Sequence, residues 1–261
     1  MNSISSIQGS VLRIADDFGV DDQHDLVMLR LLNTNKIDGV SVFSELILQP
    51  QVHELVSARS KHHIQVGLHF NLTHGNFLPS VSILLLRSIL YRVDRAIIAK
   101  EINSQLNTFK EKFGFMPDFV DGHQHVHAFP IINKVVAEAL VSIKFQGWVR
   151  NIGSGSLIGW SEALKASLKN AYFKKFIILE TLGLFHRRHL NFFGIPFNQF
   201  FFGLMPLDSP SKLPTALLNL YEIKFQKSTV IMCHPGSAEG SGAKDHPSES
   251  RALEASFLSI N

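Results

Sequence analysis

Three histidines at every second position behind an aspartate, in Asp121-Gly122-His123-Gln124-His125-Val126-His127, are the residues of this chain best suited to hold a cation. They follow a short apolar run that begins at Phe119. On an extended backbone, side chains two apart share a face, so Asp121, His123, His125 and His127 are expected to point one way and Gln124 and Val126 the other. Neutral imidazole is a common metal ligand. Imidazoles two apart on a strand can both reach one ion, so spacing alone leaves open which of the three binds. The competing reading is a polar, hydrogen-bonded strand end.

Three more segments carry groups of the same kind. Asp16 and Asp17 end the apolar run Val11 to Ala15. Strand neighbours point in opposite directions, so both carboxylates serve one site only if the chain turns there, which Gly19 helps it do. One is then expected to hold metal and the other to handle protons; the alternative is acidic capping of a helix at Asp22 to Asn33. In Val66 to Leu72, His69 and Asn71 alternate with Leu68, Phe70 and Leu72, which puts the polar pair on one face at a strand end. Val230 to Cys233 runs into His234, a candidate general acid, while alternation turns Cys233 into the packing. Asp17, His69 and His123 thus each fall at the C-terminal end of a different expected strand, where parallel sheets gather functional side chains. One carboxylate and two imidazoles suit a divalent ion such as Zn²⁺, Mn²⁺ or Co²⁺ with positions open to water and substrate.

The elements that position these groups follow a βαβ rhythm. Short β-branched runs at Val11 to Ala15, Gly39 to Phe43, Ile64 to Phe70, Phe119 to Asp121, Gly147 to Arg150 and Thr229 to Cys233 read as strands. Helical patterns read at Asp22 to Asn33, Gln51 to Ser60, Ile131 to Ile143 and from about Glu249. A parallel sheet with crossover helices follows, and periodicity does not tell a closed barrel from an open doubly wound sheet. One domain over residues 1–261 is expected, with insertions at about 71–93 and 151–214 in which no strand is legible. The chain stops soon after its last helix without a closing strand.

Bulk composition narrows the function. The chain is 261 residues long, 45% hydrophobic and 18% charged, which is globular rather than disordered. A net charge of only +3, with no run of five basic residues, gives no sign of nucleic-acid binding. Cys233 is the only cysteine, so no intrachain disulfide forms and the chain reads as cytoplasmic. Met1 to Gly9 lacks the basic start and apolar run of a signal peptide. The greasiest stretches, Val81 to Leu90 and Leu190 to Met205, are broken by Arg87 in the first and by Asn191, Gly194, Pro196, Asn198 and Gln199 in the second, so no membrane span is expected. The phenylalanines from Phe192 to Phe202 read as core, with a groove for an acyl or lipid-linked group as the alternative.

Together and in order, ADDFG at Ala15 to Gly19, GLHFNLTHG at Gly67 to Gly75, DGHQHVHAFP at Asp121 to Pro130 and CHPG at Cys233 to Gly236 resemble the YdjC-like carbohydrate deacetylases. The resemblance anchors the chain from about residue 11 to 236. It implies a single-domain α/β protein, an irregular (β/α) barrel related to the polysaccharide deacetylase barrel and incomplete at its C-terminus. It matches Asp17, His69 and His123 to metal ligands and Asp16 to the general base. His125, His127 and Asn71 are then expected to contact substrate or to orient the ligands. The cofactor expected is one divalent ion, Mg²⁺ or Zn²⁺ foremost, with Mn²⁺ or Co²⁺ as alternatives. The reaction implied is removal of acetyl groups from N-acetylated amino sugars, with a metal-dependent esterase or phosphoesterase, or a binding homologue without activity, as rivals. Partners expected are a small carbohydrate and no nucleic acid, with a homodimer left open. The chain departs from the pattern at His74, where relatives usually carry glutamate, and at Val40 to Glu45, which lacks the expected Thr and Asn.

Overall fold

The computed structural model describes residues 7–74, 80–154, 173–242 and 246–260. Seven parallel strands form one sheet: β1 (Val11–Phe18), β2 (Gly39–Val42), β3 (Gln65–Phe70), β4 (Phe119–Gly122), β5 (Trp148–Val149), β6 (Phe200–Phe202) and β7 (Thr229–Cys233). Their order is β5-β4-β3-β2-β1-β7-β6. Helices follow the strands: α1 (Asp22–Asn33), α2 (Gln49–His62), α3 (Val81–Ile89), α4 (Arg95–Phe113), α5 (Ile132–Ser142), α6 (Phe173–Phe193), α7 (Leu213–Tyr221) and α8 (Ser248–Ile260). β1 to β4 and β7 are almost wholly buried, as strands covered on both faces must be, which is why they read as continuous apolar runs.

The sheet curls until its two edges meet. Phe197, three residues before β6, bridges Val149 of β5 in parallel, and Asn198 extends the seam by accepting from the Asn151 amide and donating to the Asn151 carbonyl. An irregular (β/α) barrel results, joined at one place by a single bridge and an asparagine in place of a ladder.

Two expectations change. The stretch 151–214 holds a strand after all: Phe200–Phe202 pairs with β7 across Thr229, Val230 and Ile231, and three phenylalanines are too short a run to announce it. It also holds the whole of α6, while residues 75–79 and 155–172 of the two expected insertions lie outside the described residues. The expected extended strand through His127 does not exist. β4 ends at Gly122, and His123–Ala128 folds into a tight 3₁₀ turn with Gln124 and His125 in the left-handed region, at φ 51° and 62°. Asp121, His123, His125 and His127 therefore do not share a face.

Candidate metal and catalytic centre

The turn that brings both carboxylates to one end of the barrel is made by Asp17 itself. Its φ is 68°, and the pairing of β1 with β2 skips register between Ala15 and Phe18, a bulge that re-aims side chains at a strand end. Gly19, at φ 95°, continues the turn in a conformation that disfavours any side chain. Its amide donates to Asp25 of α1 at 2.8 Å. The helix is capped by Asp21, whose carboxylate accepts from Gln23 and His24, so Asp16 and Asp17 take no part in capping.

Asp17, His69 and His123 converge from β1, β3 and the end of β4, with donor atoms all within 4.8 Å of one another. Asp17 Oδ1 lies 3.0 Å from His123 Nδ1 and 3.4 Å from His69 Nε2. Its other oxygen accepts from Arg251 of α8 at 2.6 Å. Behind His69, the Nδ1 atom lies 2.7 Å from Asp121 and 3.0 Å from the Ser41 hydroxyl, which itself donates to Asp121. His69 donates its Nδ1 proton to Asp121, so that loss of the Nε2 proton to an incoming cation leaves the tautomer a metal ligand needs.

That geometry sets His69 Nε2 and Asp17 Oδ1 against each other in a buried place, where only a proton or a cation between them keeps the pair together. Burial opposes charge on His69, yet Asp121, Asp17 and Asp16 hold the imidazole up, to about 10. Burial likewise opposes charge on Asp17, but hydrogen bonds from His123 and His69 and the Arg251 charge hold its carboxyl well below the usual range. The pocket demands a positive charge between these groups, and a divalent cation satisfies it with the Nδ1 proton already held by Asp121; the residues present fit a metal ion. Asp16, His69 and Asp121 form a second group within the same distance, but Arg150 already neutralises its two carboxylates.

Arg150 is fully buried. It grips both oxygens of Asp16, at 2.6 and 2.7 Å, and pairs with Asp121 at 2.7 Å. Burial pushes the Asp16 carboxyl up; Arg150 opposes it, Asp121 adds to it, and the net shift is upward. A fixed carboxylate with raised proton affinity is what a general base requires.

His234 opens the loop after β7 and lines the same cavity of about 300 Å³ as Asp16, His69, His123 and His125. Its amide donates to Glu254 of α8 at 2.7 Å, and its ring lies 4.5 Å from that of His246. Burial first, then His246, lowers its pKa well below the imidazole range. The loop is strapped to α1 by His24, which accepts from the Ser237 amide and bonds the Ser241 carbonyl at 2.7 Å. Gly236 leaves room for that ring, since a Cβ would stand 2.5 Å from Nδ1.

The remaining expected residues part company. His125 lines the cavity, its ring edge-on to Phe201. His127 is fully buried, bonds the Arg150 carbonyl at 2.8 Å and meets His186 of α6 edge-on. Asn71 is committed to its own loop, accepting from the amides of Thr73 and His74. That loop sets His74 with its ring 6.0 Å from His123. Cys233 is buried against the Ile14 carbonyl.

Sequence reasoning missed Arg150, Arg251, Glu254, Ser41 and Phe43. The last two lie in the stretch 40–45 that departs from the expected pattern, and Phe43 is the hub of the aromatic wall: His69, His123 and His74 sit 5.0, 5.1 and 5.5 Å from its ring. Arg150 stands at the end of the expected run Gly147 to Arg150, where a charged residue closing a buried strand was the available signal.

A family model described as YdjC-like protein matches residues 13–259. A carbohydrate deacetylase of Mus musculus is 32% identical over 168 residues, covering 57% of this chain and 53% of the relative. A chitooligosaccharide deacetylase of Proteus mirabilis is 37% identical over 86 residues, covering 29% and 34%. The chain spans about half the length of the mouse relative and a third of the bacterial one. Among solved structures, a protein of Enterococcus faecalis V583 named for cellobiose-phosphate cleavage is similar over 95% of this chain and 89% of its own, at 16% identity and a TM-score of 0.58, a likeness of fold.

Proposed function

Because the chain belongs to the YdjC-like protein family, we propose that it is a metal-dependent deacetylase that removes acetyl groups from N-acetylated amino sugars, giving acetate and a free amine. The observation that carries the reading is the convergence of Asp17, His69 and His123 beside an Arg150-held Asp16. Asp17, His69 and His123 hold the cation. One carboxylate and two imidazoles favour Zn²⁺, Mn²⁺ or Co²⁺ over Mg²⁺, which prefers oxygen donors. A bound divalent ion supplies Lewis acidity, polarising the acetamide carbonyl and favouring negative charge on its oxygen.

Asp16 accepts a proton from the attacking water, kept in place by the two Arg150 bonds. His234, across the same cavity, gives a proton to the departing nitrogen. Neutral at rest, it first takes up the proton that Asp16 has drawn from the water; once protonated it is a stronger acid than free imidazolium, because burial disfavours its charged form. His125 faces the substrate, and Asp121 holds the His69 ring. The single cysteine supports a cytoplasmic setting, and no helix among the described residues is long and apolar enough to cross a membrane.

The test is acetate detection against a panel of N-acetylated glycans, with chelator and with each divalent ion restored. Chelation is expected to abolish release and one of the ions to restore it. Release of phosphate from sugar phosphates without acetate from any glycan would overturn the reading.

A further inference from the structure

The cavity that holds Asp16 and His234 continues past them between two helices. Its walls there are Val81 and Leu85 of α3, Phe129, and Ile178, Leu179 and Leu182 of α6, with Ser82, Gln124 and Lys175 as polar company. A sugar ring loses water from its hydroxyls on burial and needs a partner for each. A hydrocarbon chain needs none and gains by leaving water. Polar partners gather instead on the other side of His123, where a second cavity of about 310 Å³ is lined by Asp17, His24, Thr73, His74, Ser241 and Arg251. The centre therefore stands between a polar and an apolar compartment, an arrangement that matches a substrate with a polar end and an apolar one.

The rim of the apolar compartment has the same character. α3 exposes Ile83, Leu86 and Ile89, and α6 exposes Ile177, Leu184 and Phe185, while Ile178 both lines the cavity and stands 47% exposed. Scattered exposed aliphatics mean little, but these stand on the two helices that wall the cavity, and Ile178 joins the exposed face to the lining. The same helices carry Arg87, Lys174, Lys175 and Arg188; their one acid, Glu180, accepts from Ser154 and is faced by Arg187, which also donates to the Gln199 carbonyl. Apolar faces set among basic residues are the composition of helices that lie in an anionic membrane interface.

We propose that the apolar compartment takes the hydrocarbon chain of a lipid-linked N-acetylated amino sugar, presented from an anionic bilayer against which α3 and α6 rest. The proposal builds on the deacetylase reading above and narrows its substrate class.

The experiment compares acetate release from methyl and octyl glycosides of N-acetylglucosamine. A parallel arm lengthens the N-acyl group of the methyl glycoside, and sedimentation is run with phosphatidylcholine vesicles with and without phosphatidylglycerol. Expected are a kcat/KM at least tenfold higher for the octyl glycoside, no comparable gain from a longer acyl group, and sedimentation that depends on phosphatidylglycerol. Ile178→Asp, at an exposed position, should cut the octyl-to-methyl ratio at least fivefold, and Leu86→Asp should lower the vesicle-bound fraction. Equal rates on the two glycosides, a gain that follows acyl length instead, or absence of binding to the anionic vesicles would each overturn the proposal. If neither glycoside releases acetate, the deacetylase reading fails by itself. Calorimetry with octyl glucosaminide then decides the compartment: binding weakened by Ile178→Asp upholds it, and no binding overturns it.

Discussion

His69 and His127 are both buried imidazoles within the same end of the barrel, yet their surroundings push them in opposite directions. Asp121 and Asp17 flank His69, and it is held up to about 10 against the pull of burial. His127 feels Asp121 only at a distance; burial prevails and brings it down to about 4, with a single bond to the Arg150 carbonyl. Residue type is identical in the two places. What differs is the count of carboxylates within hydrogen-bond reach, and that count separates a group poised to bind a cation from one that braces the barrel.

The sharpest way to break this comparison is to remove the proton acceptor and leave the cation site intact. Asp16→Asn should reduce acetate release on the order of 10³-fold, within the range of general-base contributions. Metal content measured on the same sample should be unchanged. Normal turnover by this variant would mean that Asp16 is only a partner for Arg150 and that the base lies elsewhere.

Asp121→Asn tests the other side of the contrast, since it leaves every ligand present and removes what orients His69. Metal affinity measured by competition with a chelator should fall about 10- to 100-fold, the usual cost of losing such a partner. An unchanged affinity would show that Ser41 alone fixes the tautomer.

Much of this centre was legible in the sequence because its ligands sit at strand ends, and strand ends are marked by where apolar runs stop. Val11 to Ala15, Ile64 to Phe70 and Phe119 to Asp121 announce β1, β3 and β4, which places Asp17, His69 and the three histidines from His123 to His127 at strand ends, and the family resemblance singles out His123. The 3₁₀ turn at His123 was not legible, because left-handed Gln124 and His125 carry no local signature as a glycine would. Nor were the partners: Arg150 reaches Asp16 across 134 positions and Arg251 reaches Asp17 across 234, and a single sequence holds no record of contacts at such separations. β6 escaped for another reason. Its phenylalanines pack like any core run, and only the sheet edge they occupy makes them a strand.

His127→Gln should leave metal binding alone and act on stability. Losing the bond to the Arg150 carbonyl costs about 1–3 kcal/mol at neutral pH, read as a lower midpoint in urea. The pH dependence carries the clearer sign. His127 titrates near 4 when folded and near 6.5 when unfolded. The unfolded chain therefore binds more protons between those values, and stability is lost as pH falls through that window. With glutamine in place, the acid limb of the stability curve should be shallower. An unaltered acid limb would place the titrating group elsewhere.

The smallest effect expected is at Phe43, and it bears on how rigid the cation-binding side is. The ring meets His69 and His123 edge-on and His74 at a tilt, contacts worth about 0.5–1.5 kcal/mol each in aromatic pairs. Phe43→Leu keeps an apolar wall and removes the edge-to-face geometry, so folding should survive with a loss of about 1–2 kcal/mol, since three buried carbons leave with the ring. If the ring only fills space, kcat and metal affinity stay at their original values. If it fixes the angle at which His69 and His123 face Asp17, metal affinity should fall several-fold while the His127 side, measured by the acid limb of stability, stays as it was. The second outcome is expected, because the carboxylates that charge this half of the barrel act only on imidazoles held where their lone pairs converge.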